Sequence, residues 1–495
     1  MLLLGLDIGT SSIKASVVNA QTQQVIASAS FPEIESEIIA IKPGWAEQSP
    51  NRWWNDTQQA ILKCNAQNKY DPKDIVAIGI AYQMHGLVLV DKDQNILRNS
   101  IIWCDSRAVE IGNEAYEAIG GEKCLSCLLN SPGNFTASKL FWVKENEPEL
   151  FEKIDKIMLP GDFIAMKLTG NITTSISALS EGVFWDFKNN TVSKDVLNHY
   201  GFDENLIPGI KELFSPHGHL RKDVADDLQL RPEIPVSYKA GDQPNNALAL
   251  NVLEPGEVAA TAGTSGVIYG VSDQLSYDKH SRINSFAHVN HTTATPRVGI
   301  LLCINGTGIF NRWTKNIAGA HISYGELNEL GKAVKPGCHG LFAIPFGNGA
   351  ERMLNNKIVG AHFHNIDLNI HSTAHLIRSV QEGIAFSFRY GLDIMRENGM
   401  NPSVVRAGRA NLFLSDVFAQ TFADVNNVTI EFYEGDGSYG AAIGAGIGTG
   451  IFNGTEEASK NRNPLGCIEP QQTSLYNELY DGWKQLLDVH LRRTV

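Results

Sequence analysis

The chain has 495 residues, 43% apolar and 19% charged, and its 41 Lys and Arg against 54 Asp and Glu give a formal charge of −13. That composition belongs to a globular protein of about two to four domains. It excludes disorder, collagen and coiled coil, and a chain this acidic lacks the basic footprint needed to wrap nucleic acid.

The 45 glycines are the compositional excess, and they belong in turns, tight packings or ligand loops. Seven cysteines, odd in number and irregularly spaced, read as reduced thiols of a cytoplasmic protein. Cys124 and Cys127 form a lone C-x-x-C without the second ligand pair a zinc site needs, so they are read as structural. The opening Met1–Leu6 is too short for a signal sequence, and no stretch is apolar enough to span a membrane.

In chain order, Leu2–Ile8 and Ile13–Val18 read as buried strands joined by a Gly-Thr-Ser-Ser turn, with a third strand over Gln24–Ser30. Pro50–Asn65 is an amphipathic helix with Ser49 as its N-cap. Strands follow at Asp74–Ala81 and Leu87–Val90, with Tyr82–Gly86 as the loop between them. Thr136–Asn146 and Pro160–Leu168 read as helices, and Asn245–Leu253 as another that starts just after Asp242. Later come a strand at Ser403–Arg406 and helices at Ala374–Glu397, Phe413–Asp424 and Leu475–Val489. Gly444, Gly446, Gly448 and Gly450 alternate with small residues, a pattern of close helix packing rather than a dinucleotide fingerprint.

The two halves resemble each other. LGLDIGTSSIKASVV from Leu4 and VAATAGTSGVIYGVS from Val258 align their Gly-Thr-Ser triplets at a constant offset, 263 − 9 = 265 − 11 = 254. Each triplet separates two apolar strands. This predicts two related α/β domains, 1–246 and 247–495, each opening on a strand–turn–strand unit.

Those turns carry the first chemistry. A glycine between strands turns backbone N–H groups toward one point, and hydroxyls at Thr10 and Ser11 add donors, which makes an anion cradle. Lys14 supplies a positive charge, and Asp7 is able to hold a divalent cation through water. Gly263 and Thr264 repeat the cradle, and no G-x-x-x-x-G-K-[ST] loop is present. Gly408 would let a flat ring approach the backbone, with Asn411 placed to bond a purine edge. Met84, His85 and Gly86 close a buried strand, where ligands of α/β sheets sit; Met84 offers an apolar wall and His85 a hydrogen-bond donor to a hydroxyl. Asp242, at a helix N-terminus after Gly241, is placed as a general base, with a pKa held near ordinary Asp values by the helix end. A base that weak suffices where positioning dominates, as in phosphoryl transfer.

Taken together, these residues resemble the FGGY carbohydrate kinases of the actin-like (ribonuclease H-like) ATPase fold. The likeness runs from Leu4 to about Gly450 and is greatest to members that phosphorylate D-xylulose. It rests on the opening segment, on Pro43–Pro50 with Trp53 and Trp54, on Gln83–Val88, on Ile101–Arg107 with Trp103, and on Leu159–Phe163 with Lys167–Gly170. The resemblance implies two domains around a cleft, a sugar and ATP as substrates, Mg²⁺ as cofactor and a homodimer. It implies that Asp242 is the catalytic base, that Met84, His85, Gly86, Trp103 and Gln243 hold the sugar, and that Asp7 lies near the metal. Thr10, Ser11, Lys14, Gly263, Thr264, Gly306, Gly408 and Asn411 would bind the nucleotide. Gln243 stands where the xylulose members carry Asn, and Ala407-Gly408-Arg409-Ala410 replaces the usual Gly-Gly-Gly-Ala. Sedoheptulose, ribulose, gluconate or glycerol stay open as acceptors, and so does a non-enzymatic actin-like nucleotide switch.

Overall fold

The computed structural model describes residues 1–460 and 462–493. A continuous apolar run makes β1 (Leu2–Ile8) a central strand buried on both faces. β2 (Ile13–Asn19) and β3 (Val25–Phe31) continue antiparallel on one side of it. α1 (Pro50–Asn65) buries Trp53, Ala60, Ile61 and Cys64 against them. On the other side of β1, β4 (Ile75–Tyr82) runs parallel.

After β4 the chain builds a cap that includes α2 (Thr136–Asn146), α3 (Pro160–Thr169) and α4 (Ile176–Glu181). It returns through a short edge strand, β5 (Gly218–His219), to β6 (Pro235–Gly241), which pairs parallel with β4. The sheet order is β5-β6-β4-β1-β2-β3, and α5 (Asp242–Ala249) leaves from the end of β6.

The second half repeats the plan. β7 (Val258–Ala262) is flanked by antiparallel β8 (Gly266–Ser272), then β10 (Val298–Ile304) with β9 (Asn284–Ala287) at the edge. The 25-residue α6 (Thr373–Glu397) crosses the sheet to β11 (Val404–Gly408), parallel to β7. α7 (Asp416–Asn426) leads to β12 (Thr429–Tyr433), α8 (Gly437–Gly448) follows, and β13 (Gly466–Ile468) and α9 (Thr473–Arg493) close the chain. The order β9-β10-β8-β7-β11-β12-β13 matches the first sheet strand for strand about its centre, so the repeat read from two Gly-Thr-Ser triplets extends to whole sheets.

The sequence misplaced several ends. α5 starts at Asp242 rather than Asn245 and stops at Ala249 rather than Leu253. Pro244 falls in its first turn, where no backbone N–H is needed, so proline does not delay the helix. The expected break between residues 246 and 247 therefore lies inside α5. The expected helix from Phe413 begins instead as a 3-10 turn at Asn411–Leu414, and α7 follows from Asp416, capped by Ser415. Val88–Val90 pairs with Lys156–Met158, outside the main sheet.

The alternating glycines of α8 are packing glycines. A Cβ on Gly444 would meet the Tyr238 ring at 2.5 Å, and one on Gly448 the Ser237 carbonyl at 1.9 Å. α8 leaves the second sheet at its N-terminus but lies across β1, β2, β4 and β6 of the first. Gly5 and Gly79, direct register partners on β1 and β4, make the flat floor beneath it.

Candidate active site

The ends of β1, β4 and β6 open on one side of the first sheet. β4 ends at Tyr82, so the loop read as Tyr82–Gly86 begins one residue later, at Gln83. Met84 is buried and packs on Gly241, where a Cβ would lie 2.6 Å from its Cγ. The residue next to the expected base is thus held against the sugar loop. A Cβ on Gly86 would meet the Pro160 ring at 2.7 Å, so a glycine is needed there for packing.

His85 has φ +64 and stands between the rings of Phe135, at 4.9 Å, and Phe286, at 5.3 Å. Its Nδ1 lies 3.0 Å from the Glu181 carbonyl. A carbonyl only accepts, so Nδ1 carries the proton. Burial, and Lys139 beneath the loop, push the imidazole down to about 3. The ring is neutral, and Nε2 presents a lone pair. With Nδ1 committed to the Glu181 carbonyl, the free ring nitrogen is an acceptor, where the sequence reading expected a donor. Replacing His85 by Phe, which keeps the ring packing and removes the acceptor, is expected to raise the sugar KM about tenfold and leave the nucleotide KM unchanged in steady-state assays.

Asp242 is the first residue of α5 and is partly buried. Its carboxyl is pushed up to about 7, by burial first and by the nearby Asp7 second. Hydrogen bonds from the backbone and side chain of Gln243 pull the other way and lose. The ordinary pKa expected from the helix end is thus overturned. Taking a carboxylate out of water beside a second carboxylate outweighs one turn of helix N–H groups. Asp7 is itself raised to about 6, by burial and then by Asp436.

Asp436 was not read from the sequence. It caps α8, accepting from the Tyr439 N–H at 3.0 Å and the Ser438 hydroxyl at 2.7 Å. Lys14 forms its ion pair with Asp436. Burial raises the Asp436 carboxyl, but Lys14, Ser438 and the Tyr439 N–H outweigh it and hold it low. Lys14 is therefore already partnered, rather than free for an incoming anion, and it lines a cavity of about 610 Å³ on the Arg462 side. Asp7 lines a different cavity of about 250 Å³, with Asp436, Gly437, Gly408 and Asn411.

The second cradle joins this space. A cavity of about 350 Å³ is lined by Gly263, Thr264, Asn411, Tyr324, Asn328 and Arg312, among others. Asn411 has φ +54 and reaches back over Gly263. Gly408 has open space around it. Gly306 lines neither cavity: its N–H bonds Glu351, and a Cβ would strike the Pro345 carbonyl.

The Thr10 hydroxyl is committed, donating to Gln83 Oε1 at 3.1 Å and accepting from Trp103 Nε1 at 3.0 Å. Trp103 is 52% exposed and leans over this turn. Ser11 is exposed, and its carbonyl accepts from Ser36 N–H. Asp105, from the same segment as Trp103, is fully buried and pairs with Arg107 at 2.7 Å.

So the fold brings Asp7, Asp242, Met84 and His85 to one end of the first sheet and Gly263, Thr264, Gly408 and Asn411 to the facing end of the second. Residues 2–249 match the N-terminal domain, and residues 258–449 the C-terminal domain, of the FGGY family of carbohydrate kinases. The chain belongs to that family.

A xylulose kinase of Staphylococcus epidermidis is 30% identical to this carbohydrate kinase over 98% of the chain and 97% of the relative. One of Bacillus subtilis is 29% identical over 98% and 96%. A crystal structure of a "xyloylose kinase" from Brucella ovis superposes with a TM-score of 0.87 at 27% identity, covering 99% of both chains.

One further group of this FGGY kinase escaped sequence reading. Glu181 is buried beneath Gly241; its Oε1 accepts from the Tyr82 hydroxyl at 2.6 Å, and its Oε2 has no hydrogen-bond partner among the described residues. Burial, with Asp242 and Asp162 nearby, raises this carboxyl well above its usual value. It has no local signal, since it is defined by what packs on it from distant parts of the chain.

Proposed function

We propose that this carbohydrate kinase transfers the terminal phosphoryl group of ATP to the terminal hydroxyl of D-xylulose, giving D-xylulose 5-phosphate and ADP. The observation that carries this reading is the junction of Met84 with Gly241, which sets the base Asp242 beside a loop whose histidine accepts from a sugar hydroxyl. Asp242 takes the proton of the acceptor hydroxyl as its oxygen bonds to the phosphorus, and ADP leaves. A carboxyl raised to about 7 is half ionised at neutral pH, which suits a general base. The names of the relatives support the choice of sugar.

In this reading the first half holds the sugar, and the 350 Å³ cavity of the second takes the nucleoside, with Tyr324 as a stacking surface and Asn411 and Asn328 as polar contacts. Asp7, Asp436 and Asp242 raise or feel one another's charge, which a divalent cation would relieve, so these residues fit Mg²⁺. No group of three His, Cys, Asp or Glu among the described residues is close enough to enclose a metal directly. Asp7 and Asp436 would hold it through water, where it neutralises phosphate charge.

No helix among the described residues is long and apolar enough to cross a membrane, and the seven cysteines are free thiols, which fits a cytoplasmic enzyme. A homodimer is the assembly we expect.

Purified protein assayed for ADP release with D-xylulose, D-ribulose, sedoheptulose, gluconate and glycerol is expected to show its highest kcat/KM with D-xylulose. A higher value for any other acceptor defeats the assignment of the sugar. ATP turnover indifferent to all of them would favour a nucleotide switch.

A further inference from the structure

Lys139 lies in the first turn of α2 and is fully buried. The other lysine buried to this depth among the described residues, Lys239, has a counter-charge: it pairs with Asp162 at 2.6 Å and bonds Thr173 as well. Lys139 makes no ion pair among the described residues, and Asp105, the carboxylate it feels most, is already bound by Arg107. Its Nζ donates instead to two backbone carbonyls, those of His85 and Ile102, each at 3.0 Å. The two belong to separate segments of the candidate site. His85 stands in the loop after β4, and Ile102 precedes Trp103, whose indole N–H bonds the Thr10 hydroxyl. An ammonium is costly to bury without a counter-charge, and here it ties two loops to one helix.

His85 depends on such ties. At φ +64 its backbone lies in the left-handed region, which disfavours a residue with a Cβ and lasts only where neighbours fix it. Three bonds do so. The Lys139 ammonium and the Thr136 hydroxyl, three residues apart on α2, both donate to the His85 carbonyl, at 3.0 and 3.3 Å. The ring Nδ1 donates to the Glu181 carbonyl at 3.0 Å. With carbonyl and ring both pinned, the direction of Nε2 is set. Lys139 also adds to burial in keeping the imidazole unprotonated, so Nε2 stays an acceptor.

We propose that Lys139 is a positioning residue for the sugar: it clamps the His85 loop to the Trp103 segment and so fixes the direction of the His85 acceptor. Being fully buried, it acts through His85 rather than on a substrate. This inference rests on the reading of the loop as the sugar site and adds the group that holds the loop in shape.

The test is a double-mutant cycle in the full-length kinase, with Lys139→Met and His85→Phe made singly and together. Methionine keeps the unbranched stem but has no N–H to donate. Lys139→Met is expected to raise the D-xylulose KM about tenfold, in the range for losing hydrogen bonds from a charged group, with the ATP KM within about threefold of wild type. On His85→Phe, where the acceptor is already gone, the same change should add less than about threefold. Lys139→Gln keeps N–H donors on a shorter stem and should fall between wild type and methionine; it replaces the methionine variant if that one does not fold. Amide exchange in the ligand-free protein needs no substrate. The peptide covering Gln83–Val88 should exchange about tenfold faster in Lys139→Met, while β1 keeps its wild-type rate. Effects that simply multiply in the cycle, equal rises in the two KM values, or unchanged exchange in the loop each overturn the assignment. A wild-type enzyme inert toward every acceptor would instead defeat the proposed function, and loop exchange would then decide the role of Lys139 by itself.

Discussion

Asp242→Asn is expected to lose about 10³-fold in kcat with D-xylulose while the sugar KM changes little. General-base catalysis contributes about 10²–10⁴-fold, and the amide keeps the shape and Gln243 contacts of the carboxylate but takes no proton. The same substitution should stabilise the ligand-free protein. The Asp242 carboxyl titrates near 7 in the folded chain against its ordinary 3.8, so the native state binds the extra proton. Native stability from this group is therefore present at low pH and lost as pH rises from about 4 to 7. Asparagine has no such loss. Its melting temperature should exceed the wild type's at pH 8, and the gap should close toward pH 4. In the wild type, kcat/KM should climb with pH and flatten above about 7, with that acid limb moving lower as Mg²⁺ relieves the repulsion from Asp7. Undiminished turnover in Asp242→Asn, or an acid limb unchanged by the substitution, would remove Asp242 from the role of base.

The second large effect concerns stability. Gly5→Ala adds one methyl group, yet its Cβ would stand 1.8 Å from the Ser438 carbonyl oxygen and 2.5 Å from the Ala442 nitrogen. These are backbone atoms of α8, so no rotamer change relieves the clash; the helix must lift from the sheet. Overpacking costs about 1–3 kcal/mol even where side chains yield, and a backbone clash belongs at or beyond the upper end. Gly79→Ala meets the Ala441 carbonyl at 1.9 Å and should behave alike. We expect urea midpoints lowered by at least ~1 M, from ~3 kcal/mol and an m-value of ~3 kcal/mol/M. Activity should fall with them, because α8 carries Asp436 at its first turn. A Gly5→Ala protein with a wild-type midpoint would show that α8 does not rest on β1 as described.

Much of this architecture was legible because it is local and periodic. β1 announces itself as seven residues of nearly unbroken apolar character, and α6 as 25 residues of helical period. The place of Asp242 was legible because a glycine followed by a carboxylate marks the end of a strand and the start of a helix. What escaped was long-range. Lys14 and Asp436 are 422 residues apart, and only the crossing of α8 over the first sheet brings them together. The pKa of Asp242 followed the burial and the Asp7 charge that folding imposes, not the helix end visible in sequence. The His85 tautomer depended on the carbonyl of Glu181, 96 residues on.

The exchange of α8 between halves has a mechanical consequence. α8 springs from the second sheet and roofs the first, and it is tied there by Ser237 to the Ala445 carbonyl at 2.9 Å and by Asn245 of α5 to the Gly437 carbonyl at 2.8 Å. α5 and α8 thus form an axle gripped from both sides. If the halves rotate about it, atoms near the axle travel least and those far out travel most. Asp242 and Asp436 sit at the ends of the axle helices, with Asp7 against Gly437. The three carboxylates would keep their spacing while the halves turn.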